Sequence, residues 1–342
     1  MTDHALEMHL PCKGPSDVLE RRELELARPA AGEVRVVIEA AGVAYADIVM
    51  RQGLYSGFKP PVTPGYDFVG RIEAIGEGVE DFKTGQRVAG MTIAGSYASR
   101  RNVEARWLVP APEGADAVKL AAAVLNGLTA WQLFHRAVRV ERDEWVLVHG
   151  AAGRVGSLLL DLARLAGVKT IGTASAYKMS VVADRGGVPI DYNVDDVGAR
   201  VRGISREGVS AAFDHVGGKH FKRVSMPCLR QGGTGVLYGA YNATRGGKVN
   251  PLALLDLVLN GSFSSLGLFT KGQGVVGYSA PVWRDARPDV YRRDLSKVLQ
   301  LVADGTLSPL VAKTYALEEA AQAHRDLETR AVSGKIVLVM GA

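Results

Sequence analysis

The chain has 342 residues, 47% of them hydrophobic and 23% charged, with a formal net charge of +5 at pH 7. That length allows two domains with substantial cores, and the balance is that of a water-soluble globular protein. The basic residues are scattered, without a run or interleaved aromatics, which argues against a nucleic-acid partner.

Two cysteines, Cys12 and Cys228, are too few for a disulfide framework or a four-cysteine zinc lobe. The first 30 residues mix Glu, Arg, Lys and Pro, unlike a secretory signal. No run approaches the ~18 apolar residues that span a bilayer, so no transmembrane segment and a cytoplasmic location are expected.

Residues 1–122 are expected to form a β-rich domain. Strands are predicted at 34–40, 67–75 and 87–91, separated by turn signals at 60–64, 76–78 and 84–85. Residues 117–134 have a helical pattern, interrupted around Asn126-Gly127, that carries the chain into a second domain at 123–270.

The stretch 145–167, WVLVHGAAGRVGSLLLDLARLAG, organises that second domain. A short apolar run suited to a buried parallel strand is followed by Gly150, Gly153 and Gly156. Val155, Leu158, Leu159 and Leu162 then recur at helical spacing. A strand, a glycine turn and a helix present backbone N–H groups at a helix N-terminus, where a pyrophosphate can approach closely. Gly150, Ala152, Gly153, Arg154, Val155 and Gly156 are the expected phosphate-facing set. The spacing is Gly-x-x-Gly-x-x-Gly, not the commoner Gly-x-Gly-x-x-Gly, and a tight turn in a glycine-rich chain is the bland alternative.

Further strands are predicted at 168–173, 189–192, 209–216, 235–239 and 263–269, with helices near 178–185, 196–203, 219–229 and 251–259. Six strands with intervening helices make an α/β fold with a doubly wound parallel sheet. Val216, Gly217, Tyr238 and Gly239 are expected cofactor contacts at the ends of the fourth and fifth strands, where the crevice of such a sheet opens. The second strand ends in Gly172–Lys178 (GTASAYK) with no carboxylate to repel a 2′-phosphate. Ser175 can donate a hydrogen bond and Lys178 can supply charge, which points to NADPH; the alternative is that Lys178 opens a solvated helix face. Residues 272–283 are expected to be a loop. Helices are predicted at 294–305 and 317–329, and a last strand at 335–340, so that 271–342 returns to the first domain.

Blocks along nearly the whole chain resemble one family. They are GVAYADIVMRQGLY (42–55), TPGYDFVGRIEAIGEGV (63–79), NGLTAW (126–131), VLVHGAAGRVG (146–156), IGTASAYK (171–178), FDHVGG (213–218) and GKIVLVM (334–340). In this order the chain resembles the zinc-independent quinone oxidoreductase branch of the medium-chain dehydrogenase/reductases. GTASAYK followed by PIDY is especially similar to the vesicle amine transport protein group. The resemblance implies an N-terminal GroES-like β domain that carries substrate and catalysis, a Rossmann domain that binds NADPH, and a homodimer, for which 261–269 is the candidate edge strand.

Zinc alcohol dehydrogenases share this fold, but they have a cysteine where this chain has Ala44 and a His-Glu pair where it has Tyr66-Asp67. No metal is therefore expected. The resemblance offers Tyr55 as a hydroxyl donor to a developing enolate, or equally as a packing aromatic, and Tyr45 as a second candidate. Many relatives have Asn at the place of Ala44, so this chain departs from them there. The resemblance assigns Thr129 to the nicotinamide-side phosphate, or to a helix cap, and Tyr192 to a phosphate contact, or to packing. Phe269 either flanks the nicotinamide or is core. Lys335 completes the expected cofactor set. The implied activity is NADPH-dependent reduction of an enone or quinone. Its rivals are an enoyl-thioester reductase and a NADPH-binding interaction protein with little catalysis.

Overall fold

A computed structural model describes residues 4–55, 57–245, 248–329 and 333–341. The chain divides into two compact units, Met1–Leu128 with Trp283–Ala342, and Thr129–Val282.

The first unit is built on a seven-stranded sheet. Its neighbours run Val311–Ala316, Lys335–Val339, Glu33–Val43, Asp67–Ile75, Arg87–Met91 and Leu108–Pro110, with Arg100–Glu104 also paired to Glu33–Val43. Alternation along the strands sends Val34, Val36 and Ile38 inward to meet Phe68, Ile72, Val88, Ile336 and Leu338 in one core. The closing strand does return here: Ile336 to Val339 pair antiparallel with Val43 to Ala40.

The helix Ala117–Gln132 runs without the expected break at Asn126-Gly127. The glycine serves packing instead, since a Cβ on Gly127 would lie 2.6 Å from Val298 Cγ1 on the helix Pro288–Ala303. With the π-turn after it, the run Ala117–Ala137 is long and apolar enough to cross a membrane by length and composition alone. However, 67% of its most apolar window is buried inside the protein, as in a core helix.

The second unit holds a six-stranded, all-parallel sheet. Its order is Val188–Asp191, Lys169–Ala174, Trp145–Val148, Val209–Asp214, Leu229–Leu237 and Gly274–Gly277. This is the doubly wound arrangement expected. Leu147, Ile171, Ile190, Val209 and Ala212 from the strands pack with Val201, Phe221 and Met226.

The sixth strand is not where the apolar pattern put it. Ser265–Lys271 is a helix, started by Ser264, whose Oγ accepts the Gly267 N–H at 3.2 Å, and ended by Gly272 in the left-handed region at φ 62°. These two caps override the strand-like alternation of 263–269. The strand is Gly274–Gly277, inside the segment expected to be a loop, and the helix Ala280–Ala286 follows it. Residues 271–282 therefore belong with the second unit, and the candidate edge strand at 261–269 is replaced by Gly274–Gly277 as the edge.

Inside the first unit lies a buried ion pair. Lys335 Nζ is 3.5 Å from Asp67 Oδ2, and both side chains are almost fully covered. The same oxygen accepts the Leu125 N–H at 2.9 Å. Removing one partner of such a pair leaves an uncompensated charge and costs about 3–5 kcal/mol. Lys335→Met should therefore lose about that much stability in urea unfolding, and Asp67→Asn added to it should recover most of the loss.

Candidate functional site

In the second unit, the glycine turn follows from how little space its residues leave. Gly150 has φ 62°, and a Cβ on it would lie 2.6 Å from His215 Cε1. A Cβ on Gly156 would lie 2.4 Å from the Gly150 carbonyl oxygen, and one on Gly153 3.0 Å from the same atom. Only bare backbone fits, so the turn packs tightly and leads directly into the N-terminus of the helix Gly156–Leu165. The Gly150 N–H donates to Thr173 Oγ1 at 3.1 Å and the Ala151 N–H to the Thr173 carbonyl at 2.9 Å, which ties the turn to the adjacent strand. Ala152 is buried, while Arg154 and Val155 are half-buried.

Beside it, Asp214 ends the strand Val209–Asp214 and shapes the next loop. Its Oδ1 accepts the Val216 N–H at 2.6 Å and the Gly217 N–H at 3.0 Å, and Gly217 turns at φ 80°. The Tyr238 N–H donates to the Asp214 carbonyl at 2.9 Å, and a Cβ on Gly239 would lie 2.8 Å from the His215 carbonyl oxygen. The structure thus gathers Val216, Gly217, Tyr238 and Gly239 at the carboxyl ends of neighbouring strands, next to the glycine turn.

Below this loop lies a polar network that sequence patterns missed. Asp214 Oδ2 accepts from His220 Nδ1 at 2.8 Å and from the Ser225 hydroxyl, which also meets His149 Nε2 at 3.1 Å. Burial holds His149 down at about 3, so it is neutral. Burial works to raise Asp214, yet the His220 hydrogen bond and the neighbouring histidines keep it well below the usual carboxylate range. Among the described residues, His149, Asp214 and His220 are close enough to hold a cation, with ligand atoms within 4.8 Å of one another. Those atoms are already engaged in the hydrogen bonds just described, which account for the cluster as the scaffold of the loop.

At the end of the second strand, Ser175 and Lys178 flank Tyr177, which is 79% exposed. Lys178 Nζ lies 5.1 Å from the centre of the Tyr177 ring, and hydrogen bonds from Ser175 and Lys178 lower the phenol's pKa. The Tyr192 N–H donates to the Ala174 carbonyl at 3.3 Å, so Tyr192, half exposed, stands at the same edge. Ser175 and Lys178 thus meet Tyr177, and Tyr192 follows the neighbouring parallel strand. The only signal of Tyr177 in the sequence is its place between two assigned residues.

The other three expected cofactor residues have the following surroundings. Phe269 sits on the helix Ser265–Lys271, 83% exposed and ahead of the sixth strand; it is neither beyond that strand nor core. Lys335 is in the first unit on Asp67. Thr129 is buried inside the helix Ala117–Gln132, so it is not a cap.

In the first unit, Ala44 precedes the helix Tyr45–Arg51, and its N–H donates to Asp47 Oδ2 at 2.7 Å. Asp47 also accepts from the Gly65 N–H at 3.2 Å and the Tyr97 hydroxyl at 3.2 Å, and burial raises its pKa to about 7. Tyr45 opens the helix half-buried and packs on the hydrophobic core. Tyr55 lies in the loop after the helix, with its hydroxyl 2.7 Å from that of Tyr66. Its ring meets Tyr66 and Phe58 edge-on, at centroid distances of 6.1 and 6.0 Å. Burial raises the pKa of both phenols, while the charge of Arg284 draws each downward. Arg284 is itself held by the Met91 carbonyl at 2.7 Å and by the face of Trp107 at 4.1 Å.

Comparison with known proteins identifies the family and the fold. Residues 187–338 match the zinc-binding dehydrogenase family and residues 30–113 the alcohol dehydrogenase GroES-like domain. The chain is 32% identical over 327 residues to the synaptic vesicle membrane protein VAT-1 homolog of Rattus norvegicus, covering 94% of this chain and 80% of that protein. It is 32% identical over 338 residues to the 2-haloacrylate reductase of Burkholderia sp, covering 96% of each. The Escherichia coli quinone oxidoreductase, solved with NADPH, superposes with a TM-score of 0.84 at 28% identity, covering 98% of this chain and all of that one.

The zinc in the first of these family descriptions does not fit the residues at the place where zinc relatives put their ligands. Ala44 has no donor atom, the Tyr66 hydroxyl is engaged by Tyr55, and the Asp67 carboxylate is paired with Lys335. A nicotinamide dinucleotide does fit: the helix Gly156–Leu165 follows the glycine turn and offers the backbone N–H groups of its N-terminus to a pyrophosphate.

Proposed function

Since the chain belongs to the medium-chain dehydrogenase/reductase superfamily, and so is an oxidoreductase with a nicotinamide cofactor, we propose that it is a metal-independent, NADPH-dependent reductase of an electron-poor C=C bond in an enone or quinone. The observation that carries this reading is the Tyr55–Tyr66 pair, two phenols that burial keeps protonated at neutral pH in the unit where zinc relatives hold their metal.

NADPH, when bound, would supply a hydride to the β-carbon. The Tyr55 hydroxyl would donate a hydrogen bond to the substrate's carbonyl oxygen, which takes up the π pair of the C=C bond. A proton from water then completes the α-carbon. Backbone N–H groups at the N-terminus of the helix Gly156–Leu165 would hold the pyrophosphate. Ser175, Tyr177, Lys178 and Tyr192 would surround the 2′-phosphate.

Steady NADPH oxidation should appear with at least one of 1,4-benzoquinone, 2-cyclohexenone or crotonyl-coenzyme A. With the substrate so found, Tyr55→Phe should lower kcat roughly 100-fold. NADPH that binds without any turnover would favour an interaction protein instead, the reading to which the VAT-1 likeness lends support.

Lys178 decides the cofactor. A charge-assisted hydrogen bond contributes about 1.5–3 kcal/mol, so Lys178→Ala should weaken NADPH binding about 10- to 100-fold while leaving NADH almost unchanged. Equal losses for both cofactors in a fluorescence titration would refute the assignment.

A homodimer is part of the proposal. Gly274–Gly277 is an open sheet edge. Leu252, Val258, Leu259, Leu266 and Phe269 are exposed on the two helices that precede it in the chain. Light scattering should give twice the chain mass; a monomer mass at every concentration would rule the dimer out.

A further inference from the structure

We propose that Tyr66 is the positioning residue for Tyr55, an inference that rests on the reading of Tyr55 as the hydrogen-bond donor to the substrate oxygen. Tyr55 belongs to no helix or strand, and its ring is braced by Phe58 and Tyr66. Tyr66, by contrast, is 3% exposed and fixed through its main chain, whose carbonyl accepts the Thr92 and Ile93 N–H groups, both at 3.0 Å. It is the rigid member of the pair.

Each phenol carries one proton and can both donate and accept. With the two oxygens 2.7 Å apart, one proton lies between them and the other remains to point elsewhere. When Tyr66 donates to Tyr55, the Tyr55 proton is the one left over. It is then aimed away from Tyr66, toward whatever oxygen comes to that side. The donated bond also polarises the Tyr55 O–H and strengthens the hydrogen bond it gives. Arg284 and Asp47 act on both phenols in opposite directions, so the hydrogen bond between the two hydroxyls is what sets the direction of the Tyr55 proton. Tyr66 thereby acts on the reaction through Tyr55 alone, without touching the substrate.

Such a role predicts a pattern that simple packing does not. Tyr66→Phe keeps the buried ring and removes only the hydroxyl. In a double-mutant cycle with the best substrate of the quinone, enone and thioester panel, Tyr66→Phe should lower kcat about 5- to 10-fold with little change in KM. In the Tyr55→Phe background the same substitution should cost nothing further. Thermal unfolding of Tyr66→Phe checks that the fold is kept. An equal kcat loss in both backgrounds would make Tyr66 merely structural and overturn the proposal. A loss for Tyr55→Phe with none for Tyr66→Phe would overturn it while leaving the reading of Tyr55 intact. No loss for Tyr55→Phe, or no turnover of any panel member, would remove that reading and this inference with it.

Discussion

The first unit depends on the Asp67–Lys335 ion pair. Two charges taken out of water are tolerable only when each answers the other, because a lone buried charge costs several kcal/mol. This pair joins the strand Asp67–Ile75 to the last strand of the chain. It reaches the helix Ala117–Gln132 through the Leu125 N–H. Between the two lies the strand Glu33–Val43, which must carry glycine where the pair crosses it. A Cβ on Gly42 would stand 2.2 Å from Asp67 Oδ1 and 2.4 Å from Lys335 Cε. One electrostatic requirement thus sets the identity of a residue with no charge. It also explains a lysine in the middle of a core, and an acidic residue next to Tyr66 that serves structure.

The second unit has a comparable centre in Asp214. One carboxylate oxygen folds the loop at Val216 and Gly217, and the other gathers His220 and Ser225. His149 extends the contact to Thr173 Oγ1 at 3.4 Å, and that oxygen accepts the Gly150 N–H. The two loops expected to face the cofactor are therefore joined by a continuous chain of polar contacts. With His149 neutral down to about pH 3 and Asp214 ionised, the charge states of these two groups do not change across the physiological range.

Elements set off by turn and helix-stop signals were legible in the sequence. The strands Asp67–Ile75 and Arg87–Met91 and the helix Pro251–Leu259 have the bounds expected of them. The glycine turn was legible because steric need is local there. The stretch 263–269 was not, because Ser264 and Gly272 decide it from outside the apolar run. Tyr66 was noticed only as a replaced metal ligand. Nothing in its spacing shows that its hydroxyl meets that of Tyr55, since the contact joins a loop to a residue just before a strand. His149, Asp214 and Ser225 likewise come from separate segments, and no motif spacing joins them.

The first unit is discontinuous: its chain leaves at residue 128 and comes back at 283. A ribosome therefore delivers the whole of Thr129–Val282 before the first unit can be finished. Lys335 follows the whole of the second unit in the chain, so the charge that neutralises Asp67 emerges after that unit. Until then the strand Glu33–Val43 lacks the partner strand Lys335–Val339, and its edge is open to pairing with other chains. The second unit can close during synthesis. The first waits for its closing strand, and a chaperone able to cover one strand edge for that interval would shield it.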